Sequence, residues 1–235
     1  SIKQDIAKSY PSVQALKDDE PLLAMTSIDA AISKAEVLIF APRIRKTGQD
    51  IKIEINSKFK DAVSNIKKDC NVVYGLGTGF GGNSENISLL EHVTGLKVGK
   101  NVSYFYYPLS KESIKKPYIG SSDPKENDIL KKLFANDKKF NFLSLNSSEY
   151  FHAMDVLKQF SNQTSILEVC KFAKDSVTKS DLNSEKLGEL FLDDLIDGLF
   201  DLRSLSNSFE GASSLMYLIN GSVKGLDGYI KRLID

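Results

Sequence analysis

Over the first 146 residues of this 235-residue chain, short apolar runs alternate with longer stretches of helical spacing. Val37-Leu38-Ile39-Phe40-Ala41 is unbroken in apolar residues and stops at Pro42. A strand buried on both faces has this character, because neither side of its pleat meets water. Residues 71–75 and 102–107 repeat the pattern, and 117–120 and 140–144 are shorter candidates. Helical patterns lie between them. Residues 27–35 open on Ser27, a favourable N-cap. Phe59, Ala62, Val63 and Ile66 share one helical face. Residues 84–93 precede Gly95, a stop signal, and 124–134 form a fourth helix. Strands alternating with helices of this length predict βαβ units and a mostly parallel sheet.

The pattern changes near residue 147. Phe151, Met154, Val156, Leu157 and Phe160 recur at helical spacing in 148–174, a stretch without proline or glycine, with Ser147 and Ser148 as candidate caps. A second helix, rich in leucine and aspartate, covers 184–205, and 175–183 connects the two. A third covers 212–234 and is interrupted by Gly221, Gly225 and Gly228. The expectation is an α/β chain. An incomplete Rossmann-like domain over 1–146 is followed by an all-helical domain over 147–235.

Composition removes several function classes. The 31 basic and 31 acidic residues cancel, so no general attraction to nucleic acid or anionic membrane is expected. Cys70 and Cys170 are the only cysteines and His92 and His152 the only histidines. Two isolated cysteines form neither a disulfide framework nor a zinc site, and a reducing, cytoplasmic setting follows. No metal site is expected. No apolar run reaches the ~18 residues a membrane span needs, and the polar start Ser1-Ile2-Lys3-Gln4-Asp5 is no signal peptide.

The strongest local motif is Gly75-Leu76-Gly77-Thr78-Gly79-Phe80-Gly81-Gly82, in which Gly77, Gly79 and Gly82 satisfy G-x-G-x-x-G between a strand and a helix. Glycines let a backbone approach a pyrophosphate, and a helix N-terminus supplies N–H donors and a positive dipole end. The loop is therefore a candidate phosphate or anion cradle. Against a dinucleotide, the following strand, ending near Tyr107, carries no acidic residue for a ribose hydroxyl, and the loop follows the second strand rather than the first. The plain alternative is a strand-to-helix turn with no ligand.

The order of segments resembles the UDP-glucose/GDP-mannose dehydrogenase family. Residues 26–42, TSIDAAISKAEVLIFAP, are similar to that family's T-x-D-x-x-x-A-I-x-x-A-D-V-x-I-I-x-V-P segment. Asp50-Ile51 resembles the D-L or D-T after it, Cys70-Asn71-Val72-Val73 the x-x-V-V strand, and residues 91–102 the S-G-x-x-x-G-x-D-F stretch. Tyr106-Tyr107-Pro108 falls at x-x-P-E-R and 116–120 at x-P-R-V-I-G-G. Met154-Asp155-Val156-Leu157-Lys158-Gln159-Phe160-Ser161-Asn162 resembles A-E-x-x-K-x-x-x-N.

The resemblance implies an NAD-dependent oxidoreductase fold that takes a sugar alcohol to a carboxylate through a cysteine-bound intermediate. It also implies a dimer built on the long central helix. The departures are as informative. The family's first glycine-rich turn would lie before Ser1, and the glutamate of P-E-R falls on Leu109. The nucleophile motif G-F-G-G-x-C-x-x-K-D falls on Ser208-Phe209-Glu210-Gly211-Ala212-Ser213-Ser214-Leu215, without cysteine. Lys158 and Asn162 alone survive of the catalytic set; the resemblance makes the lysine an oxyanion-stabilising group and the asparagine its support, while the residues alone read equally as a solvated helix face.

Two readings follow. In one, the chain is a nucleotide-sugar dehydrogenase-like binding or assembly module without catalysis or cofactor. It would pair as a homodimer through Phe151, Met154, Leu157 and Phe160, and its ligand would be a nucleotide sugar. In the other, it is an NAD-dependent oxidoreductase acting on a nucleotide-sugar CH–OH group, with NAD held by the glycine loop. Glu149, Asp155 and His92 read as surface groups, and His152 as a packing residue with its hydrogen bonds satisfied.

Overall fold

A computed structural model describes residues 31–44, 50–109, 118–123, 128–134, 141–173, 192–209 and 216–234. Ser27 and the linker 175–183 lie outside the described residues. Among the described residues, five strands form one sheet in sequential order: β1 (Val37–Phe40), β2 (Asn71–Tyr74), β3 (Ser103–Tyr106), β4 (Tyr118–Ser121) and β5 (Asn141–Ser144). The pairs β1–β2, β2–β3 and β4–β5 are parallel, and only β3–β4 is antiparallel. The expected mostly parallel sheet is present.

Both faces of the central strands are covered, which accounts for their unbroken apolar character. Val72, Tyr74, Tyr104 and Tyr106 point to the larger core, while Val73, Phe105, Tyr107 and Ile119 point to the other. The crossover helices α1 (Ile51–Val63) and α2 (Gly82–Thr94) lie on the same face, since Ile55, Phe59, Val63 and Leu90 all join the larger core. Parallel strands added in one direction through right-handed crossovers produce this one-sided arrangement. Phe40, Phe59 and Tyr74 lock β1, α1 and β2 together, with ring centroids 5.1–5.5 Å apart. The helix α3 (Asp128–Phe134) covers the second face through Leu130. Gly95 ends α2 as expected, in the left-handed conformation at φ 69°, with its N–H donated to Glu91 O at 3.0 Å.

The long helix α4 (Leu145–Ala173) follows β5 directly and packs on β3, β4 and β5. It starts two residues before the expected serine pair. Ser144 Oγ accepts the Ser147 N–H at 3.2 Å and so caps it, while Ser148 Oγ donates to Leu145 O inside the first turn. Helices α5 (Leu192–Asn207) and α6 (Tyr217–Ile234) pack on α4 and on each other. The expected interruption of the last helix does not occur: α6 runs straight through Gly221, Gly225 and Gly228. Its apolar face, Ile219, Leu226 and Ile230, is buried. Tertiary packing outweighs the ~1 kcal/mol helix penalty of each glycine.

Candidate functional site

The loop after β2 emerges at the carboxyl end of the parallel strands, where open α/β sheets place ligands. Gly75 threads between neighbours, donating its N–H to Phe40 O at 2.8 Å and accepting from Leu109 N–H at 2.9 Å. Gly79 and Gly81 take φ of 70° and 77°, and α2 begins at Gly82. The three motif glycines sit against protein rather than open space. A Cβ at Gly77 would collide with Asp201 Oδ1, one at Gly79 with Ser208 Oγ and Ser204 O, and one at Gly82 would lie 2.6 Å from Thr78 Cβ. Two of the three are thus required by the close approach of α5.

The helix N-terminus does meet an anion, and that anion is Glu149 of α4. Its Oε2 accepts the Gly81 N–H at 2.9 Å; its Oε1 accepts the Asn83 N–H at 3.0 Å and the Asn83 Nδ2 at 2.8 Å. A carboxylate here gains from the positive end of α2 and from charge-assisted hydrogen bonds. Glu149, expected at the surface, is 4% exposed. The donors a pyrophosphate would use at Gly81 and Asn83 are therefore taken.

Behind the loop lies a buried polar cluster. Tyr104 OH donates to Asn83 Oδ1 at 2.8 Å and accepts from Asn86 Nδ2 at 3.2 Å. Burial holds the Tyr104 and Tyr106 hydroxyls well above the usual tyrosine range, and raises Tyr74 as well. His152 packs as expected, buried and edge-on to Tyr106 at 6.0 Å, but one of its ring nitrogens is not satisfied. Its Nε2 lies 3.3 Å from Asp201 Oδ2, yet it makes no well-formed hydrogen bond, and neither does the Tyr106 OH. Gly77, Gly79, Glu149, His152 and Asp201 surround a residual void of about 10 Å³, room for about one water molecule.

On the other side of the loop opens a cleft of about 580 Å³ between α1, α2 and the end of α5. Asn56, Asn86, Asn207, Thr78, Ser206 and Ser208 supply amides and hydroxyls, with Phe80 among them. Phe80 is held edge-on by Phe209 at 5.7 Å, and its N–H is donated to Ser208 Oγ at 2.8 Å. Lys52, the lining cation, pairs with Glu85 at 3.0 Å.

The sequence-derived candidates separate here. Gly77 and Gly82 line the cleft, and Gly79 touches the void behind it. Lys158 and Asn162 do not join them. Both are exposed, and at about 100° per residue Lys158 is turned half a revolution from Glu149 on α4. His92 is at the surface. Cys70 is buried at the opposite end of β2 from the loop, and burial pushes its thiol up. Of the stretch aligned with the nucleophile motif, Ser208 and Phe209 close the cleft, and 210–215 lie outside the described residues. Sequence reasoning missed Glu149, His152 and Asp201. A signal for the first two was present, since both stand on the stripe that buries Ala153, Val156, Phe160 and Thr164.

Solved structures share this architecture. A UDP-glucose dehydrogenase from Pyrobaculum islandicum superposes at TM-score 0.58 and 16% identity, over 91% of this chain and 55% of that one. The fold is that of the nucleotide-sugar dehydrogenases. A UDP-D-ManNAc dehydrogenase from Pyrococcus horikoshii gives TM-score 0.58 at 14% identity, covering 85% of this chain and 52% of its own. A UDP-N-acetyl-mannosamine dehydrogenase from Staphylococcus aureus gives 0.54 at 11% identity, covering 94% and 55%. The chain thus spans about half the length of these dehydrogenases. No family model matches the sequence, and no curated protein matches it either. Among the described residues, no helix is long and apolar enough to cross a membrane.

Proposed function

We propose that this chain uses a nucleotide-sugar dehydrogenase fold as a non-catalytic binding and assembly module. The observation that carries the reading is Glu149 seated on the N-terminus of α2, where it takes three donors from an external anion. The placement of Lys158 and Asn162 on an exposed face of α4 supports it, because residues aligned with a catalytic pair do not face the cleft. Assembly falls to the helical half, where Tyr150 and Phe151 are 53% and 48% exposed on α4. Phe160, by contrast, is spent in the chain's own core.

Calorimetric titration with NAD, UDP-glucose and GDP-mannose, alongside absorbance of NADH, tests the proposal. No NADH forms under this reading. Turnover with any of these sugar nucleotides would establish the alternative, an NAD-dependent oxidoreductase, and would require Glu149 to leave α2. Light scattering of the same sample tests the homodimer.

A further inference from the structure

We infer that the cleft beside the glycine loop is a site for an uncharged polyhydroxyl compound, a sugar ring or sugar alcohol without phosphate. The inference rests on the proposed function in treating the cleft as a binding site, and it names that site's ligand class.

The argument is one of elimination followed by fit. A phosphate needs free N–H donors or a free cation. At this loop the Gly81 and Asn83 N–H groups go to Glu149 and the Phe80 N–H goes to Ser208. The lining cation, Lys52, is already paired with Glu85 at 3.0 Å, so an incoming phosphate would have to compete with that exposed carboxylate. What remains on the wall is neutral: the amides of Asn56 and Asn207, the amide oxygen of Asn86, whose nitrogen donates to Tyr104, and the hydroxyl oxygens of Thr78 and Ser208, which donate to Gly79 O and Ser204 O and can still accept. A purely apolar ligand would cover the Asn56 and Asn207 amides without pairing them. An aromatic face completes the set. Phe80 is 37% exposed and cannot swing freely, because Phe209 abuts it and Ser208 holds its backbone. Rings of C–H groups edged by hydroxyls match such a wall: the C–H face lies on the aromatic ring and the hydroxyls meet amides. The volume of about 580 Å³ lies within the ~300–1,000 Å³ typical of small-molecule sites.

The test is saturation-transfer NMR followed by calorimetry on the full chain, with glucose, mannose, galactose, maltose and sorbitol as neutral probes. Inorganic phosphate and NAD serve as charged probes. At least one neutral probe is expected to bind with an affinity unchanged between low and high salt, since no charge pairing is involved. Phe80→Ala is expected to weaken it about tenfold. Asn56→Ala should weaken it too, and Lys100→Ala, exposed and away from the cleft, should not. Circular dichroism confirms that each variant keeps its fold. The inference is overturned if none of the five neutral probes binds, if only phosphate or NAD binds, or if sugar binding survives both Phe80→Ala and Asn56→Ala undiminished. Reduction of NAD in a parallel cuvette tests the non-catalytic reading separately.

Discussion

The carboxylate of Glu149 receives both the backbone N–H of Asn83, at 3.0 Å, and its side-chain amide, at 2.8 Å, across 66 residues of chain. One buried side chain thereby ties the start of α4 to the start of α2. Glu149→Ala leaves the buried backbone and side-chain donors of Asn83 without a partner, while the Gly81 N–H can turn to water, and is expected to destabilise the chain by about 2–3 kcal/mol in urea unfolding. Glu149→Gln keeps one acceptor and should cost roughly half as much. The Ala variant also exposes an anion cradle. Inorganic phosphate should raise its unfolding midpoint while leaving the parent chain unmoved. Equal response of the two proteins would mean that Glu149 does not occupy an anion position.

Gly77 is expected to tolerate no side chain. A Cβ there meets Asp201 Oδ1 and lies 3.0 Å from His152 Nε2. Gly77→Ala should cost about 2–3 kcal/mol, as overpacking against a buried neighbour does. Asp201→Gly removes the obstruction, so the double variant should be less destabilised than the sum of the two single changes. Additivity in that cycle would show that the glycine is needed for another reason.

How much of this was legible beforehand follows from what each residue type signals. β2 and β3 were readable because Val72, Val73, Tyr104 and Phe105 are buried on opposite faces, which turns a strand into an unbroken apolar run. Gly95 was readable because a left-handed C-cap favours glycine. The glycine loop was found at its correct place between strand and helix, but its partner was not. A lone glutamate carries no periodic signature, and its placement opposite α2 depends on contacts 66 residues apart. The same holds for Asp201, which reaches Gly77 only through the docking of α5. Local patterns record burial; they do not record which buried groups meet.

The two buried tyrosines on β3 should respond oppositely to loss of their hydroxyls. Tyr104 OH is bonded to Asn83 and Asn86, at 2.8 and 3.2 Å. Tyr104→Phe should cost about 1–2 kcal/mol. Tyr106 OH makes no well-formed hydrogen bond, with Thr78 the group within reach, so Tyr106→Phe should be neutral or stabilising by up to ~1 kcal/mol. Urea midpoints distinguish the two. An equal cost at both positions would mean that Tyr106 has a partner in solution.

Alkaline pH should weaken the fold through these same groups. Burial raises Tyr74, Tyr104 and Tyr106 above their ordinary value, and takes Tyr118 to about 12. The unfolded chain releases its tyrosine protons near pH ~10 while the folded chain keeps them. The folded state therefore binds more protons above that pH, and stability falls as pH rises from the unfolded value toward the folded ones. Below pH ~9 these groups contribute no slope. Urea midpoints from pH 8 to 11, with phenolate absorbance followed in parallel, should show stability falling above pH ~10 and the buried hydroxyls titrating only as the chain unfolds.

The glycines of α6 offer the last prediction, because one helix holds both kinds. A Cβ at Gly221 or Gly228 meets nothing within 4 Å, whereas one at Gly225 collides with Thr164 Cγ2 of α4. In a helix interior, alanine is favoured over glycine by about 0.5–1 kcal/mol when space is open. Gly221→Ala and Gly228→Ala should each stabilise the chain by that amount. Gly225→Ala should destabilise it, because α4 and α6 would have to separate where Leu226 and Phe160 are buried in the same core. Thr164→Ser deletes the obstructing methyl while keeping the hydroxyl that donates to Phe160 O at 2.6 Å. In the Thr164→Ser background, Gly225→Ala should lose most of its penalty. If all three alanine variants shifted the thermal midpoint alike, contact between Gly225 and Thr164 would not limit the α4–α6 approach, and the tolerance of three glycines in one uninterrupted helix would need another source.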